Sequence, residues 1–147
     1  MEKAGNVLEL KVFLEARELT VNGKPYFSDC LMSVGIDWDG IFYNKKDEKA
    51  ETRNEIDVIL MRGMTPTFIS CKNGTIGEVE LYKLNTVANH FGGPHVQKLL
   101  LATNPEAVTE SLWQRGWDSD ILLRTGIAPL SRQEWRMLFT HIEEELP

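Results

Sequence analysis

The chain has 147 residues, a net charge of −6, 42% hydrophobic residues and 26% charged residues, which excludes wholesale disorder and fits one globular domain. Its longest apolar runs, residues 58–61 and 99–102, are far shorter than the roughly 20 residues of a membrane span, and its start lacks a signal-peptide pattern, so we expect a cytoplasmic protein with no membrane partner. The acidic balance counts against nucleic-acid binding unless a divalent cation offsets the carboxylates locally.

Helix, strand and turn patterns alternate along the chain. Leu-, Glu- and Ala-rich composition predicts the first helix, and an Asn-Gly step followed by proline predicts the first turn. Apolar runs predict strands, while glycine, proline and capping residues predict where helices begin and end. In chain order, we expect a helix over residues 6–19, a turn at 22–25, a strand over 30–38, an exposed polar tip at 44–54, strands over 55–61 and 67–71, a helix over 76–91 capped by Thr75, a strand over 96–102, a helix over 105–116, a strand over 121–125, and a helix after the cap Ser131 through Leu146.

The order of these elements predicts an α/β fold. Strands that follow one another directly form an antiparallel meander, whereas strands separated by a helix form parallel βα crossovers. We therefore expect a mixed central sheet flanked by helices on both faces, within a single domain over residues 1–147.

Charged side chains are predicted to meet at one end of the central hairpin. Asp57 lies early in one strand and Lys72 at the end of the next, so a turn at residues 63–66 brings them together. Glu55 is two positions from Asp57 and is expected on the same face. This group suits a Mg²⁺ site with a lysine that activates water or neutralises a phosphate. The alternative is a plain ion pair between Asp57 and Lys72.

The helix over residues 76–91 is predicted to point another carboxylate toward the sheet. At about 100° per residue, Glu80 falls near the centre of the arc formed by the apolar residues of this helix. A buried carboxylate needs a compensating partner, which a metal held by Asp57 would supply. The alternative is a salt bridge from Glu80 to Lys72 or Lys83.

Four motifs in this order resemble those of a known nuclease family. They are residues 5–9 (GNVLE), 54–58 (NEIDV), 68–74 (FISCKNG) and 90–93 (HFGG). Over residues 5–102 the chain resembles the nuclease domain of the CRISPR-associated CARF-nuclease type, within the PD-(D/E)XK superfamily. The resemblance implies a restriction-endonuclease-like fold and a Mg²⁺- or Mn²⁺-dependent endonuclease that acts on DNA and/or RNA in CRISPR-linked antiviral defence. It also implies a homodimer and a CARF sensor domain in a longer chain.

The resemblance also implies roles for individual residues. Asp57 would be the metal-binding aspartate and Lys72 the catalytic lysine. The main-chain carbonyl of Cys71 would be a further metal ligand, and Glu9 would assist from the first helix.

Ser70 departs from the family pattern, because the superfamily usually has Asp or Glu at this position. A hydroxyl is a poor substitute for a charged ligand, so another carboxylate has to complete the site. We expect Glu80 in this role first and Glu55 next, with Glu9 in reserve. The alternative function is a catalytically inactive module that keeps the fold for nucleic-acid binding or dimerisation.

The remaining reactive or aromatic side chains are expected to be structural. Cys30 and Cys71 are predicted to be free thiols, and Cys71 to be a buried strand residue and not a nucleophile. Trp113, Trp117 and Trp135 are predicted to anchor a core or an interface.

Overall fold

The computed structural model describes residues 3–36, 54–74, 76–104, 108–127 and 130–142. The expected polar tip lies outside these residues apart from Asn54, which begins a strand. The expected Thr75 cap and the end of the last predicted helix also lie outside them. None of the helices in the described part of the chain is both long and apolar enough to cross a membrane.

The described residues form four helices and seven strands; the helices and the five longer strands follow the predicted order, and two short strands flank the predicted first turn. These elements are α1 (Lys3–Arg17), β1 (Thr20–Val21), β2 (Lys24–Pro25), β3 (Asp29–Ile36), β4 (Asn54–Arg62), β5 (Thr65–Lys72), α2 (Glu78–Phe91), β6 (Gln97–Ala102), α3 (Glu110–Asp118), β7 (Ile121–Arg124) and α4 (Arg132–Thr140). The predicted turn joins β1 to β2, and positive φ angles at Asn22 (54°) and Gly23 (79°) give it the mirror-image geometry that suits a tight hairpin.

Two helices start later than predicted. Helix α2 begins after Gly77, whose backbone N–H donates to Glu80 Oε1 at 3.1 Å. Helix α3 begins after Thr109, whose hydroxyl accepts from the backbone N–H of Leu112 at 3.3 Å. In both cases the helix begins where a side-chain oxygen accepts a hydrogen bond from a backbone N–H that has no partner within the helix.

Strands β3 to β7 form one mixed sheet in chain order, which confirms the predicted fold class. Strands β3, β4 and β5 are antiparallel neighbours, while β5, β6 and β7 run parallel. Helix α2 connects β5 to β6 and helix α3 connects β6 to β7, as parallel crossovers require.

The sheet separates two hydrophobic layers. Helices α1 and α4 pack on one face and helices α2 and α3 on the other, and each buried Leu, Ile or Val side chain stabilises the fold by roughly 1.5–3 kcal/mol. The first layer includes Val12, Val58, Leu60, Ile69, Leu99, Trp135 and Phe139, and the second includes Ile56, Ile59, Phe68, Leu84, Ala88, Leu100 and Leu123.

Strand β4 changes its facing pattern at Asp57. Val58 belongs to the layer under α1, whereas Ile56, two positions earlier, belongs to the layer under α2. At this point Met32 pairs with Val58, but the next step, between Ser33 and Asp57, is unpaired, and Ser33 has a φ of 54°. Because the alternation shifts here, Asp57 can reach groups on both faces of the sheet.

Candidate active site

The candidate site lies where β4 and β5 separate. Their ladder ends at the pair Val58 and Ile69. Beyond this pair, the Cys71 backbone N–H donates to Asp57 Oδ2 at 2.6 Å. The Asp57 carboxylate therefore accepts the hydrogen bond that a main-chain carbonyl of β4 would accept in a regular ladder. A charged acceptor makes this bond stronger than an ordinary ladder bond and fixes the orientation of the Asp57 carboxylate.

Helix α1 brings a second carboxylate to Asp57. A hydrogen bond joins the carboxyl groups of Glu9 and Asp57, and the Ser33 hydroxyl donates to Glu9 Oε2 at 3.3 Å. Glu9 is only 9% exposed. The two side chains come from elements far apart in sequence, and the packing of α1 across the sheet places them together.

The pKa values of both acids respond to this crowding. Burial, then the charge of Asp57 and the hydrogen bond to it, raise the pKa of Glu9 to about 7. Burial also raises the pKa of Asp57, while the Cys71 N–H and the charge of Lys72 oppose the rise. Two adjacent carboxyl groups cannot both ionise without cost, so the pair needs either a shared proton or a cation.

Lys72 and Glu80 form a separate contact on the α2 face. Lys72 Nζ lies 4.0 Å from Glu80 Oε1, with side-chain exposures of 44% and 26%. At this exposure the ion pair contributes less than about 1 kcal/mol. The same Glu80 oxygen caps α2 by accepting the Gly77 N–H. Glu80 is therefore engaged with the helix start and with Lys72.

The predicted helical-wheel position of Glu80 is close to the one in the structure. The buried residues of α2, Leu81, Leu84, Val87 and Ala88, span about 120° of the wheel, and Glu80 falls inside this arc, about 40° from its centre. Val79, another apolar residue of the helix, lies outside the arc and is 58% exposed.

A cleft of about 250 Å³ opens between the sheet and α2. Its polar lining is formed by Glu55, Asp57, Ser70, Glu80 and Lys83, above apolar residues of the second layer. Glu55 is exposed, and its negative charge adds to the rise in pKa of both Glu9 and Asp57. Ser70 places a hydroxyl in the wall of the cleft.

These residues fit a hydrated divalent cation better than a cation enclosed by protein ligands. Among the described residues, no group of three or more His, Cys, Asp or Glu side chains is placed to hold a metal ion. Mg²⁺ commonly uses one or two carboxylates and takes its other oxygens from water and substrate phosphates. The Glu9–Asp57 pair would supply these two carboxylates, and the cation would take the place of the proton that the two groups otherwise share.

The thiol of Cys71 is not poised for nucleophilic attack. Burial, followed by the charges of Asp57 and Glu9, raises its pKa well above the ordinary value. Both cysteines are unpaired, as predicted. Of the tryptophans, Trp135 is buried in the first layer, whereas Trp113 and Trp117 are exposed.

Sequence reasoning missed two contributors to the site. Ser33 holds Glu9 from a left-handed backbone position that its residue type does not predict. Lys83, which the sequence suggests only as a salt-bridge partner for Glu80, also lines the cleft.

Two solved structures share this fold over nearly the whole chain. Protein VC1899 from Vibrio cholerae matches with a TM-score of 0.69 and 23% identity, covering 97% of this chain and 34% of that one. Can2 from Sulfobacillus thermosulfidooxidans, solved in complex with cyclic tetra-adenylate, matches with a TM-score of 0.63 and 17% identity, covering 98% and 36%. The chain thus spans about a third of the length of either protein, and the likeness shows the fold.

A weaker match, with a TM-score of 0.48 and 14% identity, is to the small subunit of the heterodimeric restriction endonuclease R.BspD6I, and it covers 97% of this chain and 90% of that one. No protein-family model and no curated protein matches the sequence.

Proposed function

We propose that this chain is a Mg²⁺- or Mn²⁺-dependent endonuclease that hydrolyses phosphodiester bonds in DNA and/or RNA, in CRISPR-linked antiviral defence. The observation that carries the proposal is the buried Glu9–Asp57 carboxyl pair beside a cleft with Lys72 at the same end of the sheet. The fold shared with Can2, a protein solved with cyclic tetra-adenylate, supports the CRISPR connection.

In this proposal Asp57 and Glu9 are the carboxylates that hold the ion, and the Cys71 carbonyl is a further ligand. Glu9 takes precedence over Glu80 because it bonds to Asp57, whereas Glu80 caps α2 and contacts Lys72. Glu55 lies at the exposed side of the cleft, where it adds negative charge to the approach of a cation.

Each residue has a defined task during hydrolysis. When bound, the cation supplies an activated water and neutralises charge on the phosphate. Lys72 contributes a fixed positive charge beside the attacked phosphate, and Glu80 orients its ammonium. The Cys71 N–H holds the Asp57 carboxylate in one orientation.

Protonation of Glu9 opposes cation binding. Its pKa of about 7 means that the carboxyl pair carries a proton at pH 6 and has lost it at pH 8. Cleavage should therefore increase as the pH rises through 7.

The wider assignment follows the family resemblance. We propose one nuclease domain over residues 1–147, acting as a homodimer and joined in a longer chain to a CARF sensor. The share of about a third of VC1899 and of Can2 that this chain spans is compatible with such an arrangement. Ser70, a hydroxyl in the cleft wall where a further carboxylate is expected, favours the competing idea of an inactive module of the same fold.

Cleavage assays separate the two ideas. Fluorescently labelled single-stranded DNA, single-stranded RNA and supercoiled plasmid are incubated with the protein and Mn²⁺, with chelator as the blank. We expect cleavage of at least one substrate, and a loss of roughly 100-fold or more for Lys72→Ala. The exposed hairpin variant Lys24→Ala is the matched control and should remain active.

Two results would overturn the nuclease assignment. One is unchanged cleavage by Lys72→Ala, which would place the activity elsewhere or in a contaminant. The other is no cleavage of any of the three substrates, which would favour the inactive module.

A further inference from the structure

A buried lysine lies near the start of strand β6, outside the proposed site. Lys98 is only 6% exposed and is the one cation among the buried polar residues of the described chain. It directly precedes the apolar part of β6. Removing an ammonium group from water is costly, so its retention requires compensating partners.

All three donors of the Lys98 ammonium are used. Nζ donates to Asn85 Oδ1 at 2.7 Å, to the Ser119 carbonyl at 2.7 Å and to Asn89 Oδ1 at 3.3 Å. The Asn89 amide also donates to Asn85 Oδ1 at 3.1 Å. Asp120 adds a nearby negative charge, although burial still lowers the pKa of Lys98.

These bonds tie together three elements. Asn85 and Asn89 lie one turn apart on α2, Ser119 follows α3, and Lys98 projects from β6 between them. Apolar contacts are non-directional, whereas the two hydrogen bonds from Lys98 to α2 add a directional constraint on the position of this helix.

Helix α2 is also the element that presents Glu80 to Lys72. Asn85 is five residues from Glu80, or about 7.5 Å along the helix axis. A helix of this length moves as a rigid unit, so a rotation at Asn85 displaces Glu80 as well. The contact between Glu80 and Lys72, at 4.0 Å, is sensitive to such a displacement.

We propose that Lys98 is a positioning residue for the active site: its two hydrogen bonds to α2 and its bond to the Ser119 carbonyl hold α2 on the sheet, so that Glu80 orients Lys72. The functional part of this inference rests on the proposed nuclease activity of the cleft. The structural part concerns the position of Glu80 and is tested without activity.

The kinetic test is a double-mutant cycle. Lys98→Met keeps the length of the side chain and removes its donors. We expect its kcat for Mn²⁺-dependent cleavage to fall about tenfold with little change in KM, because misplacement by a fraction of an ångström affects chemistry more than binding. In the Glu80→Gln background the same substitution should have little further effect. Independent, additive losses in the double variant would overturn the proposal.

The structural test is the side-chain CεH2 resonance of Lys72, whose Nζ lies 4.0 Å from Glu80 Oε1. We expect Lys98→Met to move this resonance in the same direction as Glu80→Gln does, while Lys24→Met leaves it in place. If the folded Lys98→Met protein keeps the wild-type Lys72 resonance, the proposal is wrong. A chain that cleaves nothing but shows the shift would refute the nuclease and leave the positioning role intact.

A second variant covers the case in which Lys98→Met does not fold. Asn85→Ala removes the shortest bond from α2 at a half-buried position and leaves the bonds to Asn89 and Ser119. It should shift the Lys72 side-chain resonance in the same direction, by a smaller amount. No shift in folded Asn85→Ala would contradict the proposal.

Discussion

Replacing Glu9 by glutamine should change how the stability of the protein depends on pH. In the folded chain the pKa of Glu9 is raised from 4.5 to about 7, so the folded state binds the proton more tightly than the unfolded state does. The stability that this proton provides is complete below pH 4.5 and is lost as the pH rises to about 7.

The size of the effect follows from the same pKa values. Each pKa unit corresponds to about 1.4 kcal/mol, so the difference between 4.5 and about 7 is at most about 3.5 kcal/mol. Glutamine resembles the protonated acid and can still donate to Asp57. We therefore expect Glu9→Gln to match the wild type near pH 4.5 and to exceed its free energy of unfolding by up to about 3.5 kcal/mol at pH 8.

Urea unfolding monitored by tryptophan fluorescence, in chelator and at several pH values, measures this difference. Glu18→Gln, directly after the end of the same helix, is the matched control, because Glu18 is exposed and lies away from Asp57. Its curve should stay parallel to the wild-type curve. If the Glu9→Gln curve is also parallel to the wild-type curve from pH 4.5 to 8, ionisation of Glu9 does not destabilise the folded protein. That result would contradict the raised pKa of Glu9.

Three further outcomes follow from local packing. Gly92→Ala should lower the free energy of unfolding by roughly 1–3 kcal/mol in urea titration, because a Cβ there would overlap the side chain of Val96. Ser131→Ala should cost about 1 kcal/mol in the same assay, because the Ser131 hydroxyl caps α4 by accepting the Glu134 N–H at 3.2 Å; an unchanged midpoint would show the cap to be dispensable. Cys71 should resist iodoacetamide at pH 8 in the folded protein and react in urea, as followed by mass spectrometry, because desolvation of its thiol raises the pKa; rapid labelling of the folded protein would contradict the raised pKa.

Local patterns predicted the architecture well because most boundary signals are local. The serine and glutamate of residues 131–134 form a capping box that is visible in the sequence. The glycine that ends α2 is required by the close approach of Val96. By contrast, the start of α2 depends on Gly77 and on the side chain of Glu80 three residues later, and a glycine alone does not predict a helix start.

The proposed site could be predicted only where one hairpin carries it. Asp57 and Lys72 lie on neighbouring strands, so the turn between them determines their proximity. The approach of Glu9 depends on how α1 crosses the sheet, and the shift in strand alternation at Asp57 depends on the left-handed Ser33. Tertiary packing decides both, which explains why the sequence ranked Glu80 ahead of Glu9.

Lys98 illustrates the same limit. A lysine next to an apolar run is compatible with an exposed strand end, and nothing in the sequence joins it to Asn85 or to a carbonyl 21 residues away. The two asparagines four residues apart on α2 resemble an ordinary solvated face until β6 is placed beneath them.

The central claim is that Asp57 and Glu9 together hold a divalent cation, and Mn²⁺ binding tests it most directly. Titration calorimetry at pH 8 should give one Mn²⁺ per wild-type chain, strongly weakened binding in Asp57→Asn and in Glu9→Gln, and retained binding in Glu80→Gln. Wild-type affinity in Asp57→Asn, or loss of binding in Glu80→Gln with none in Glu9→Gln, would contradict the account.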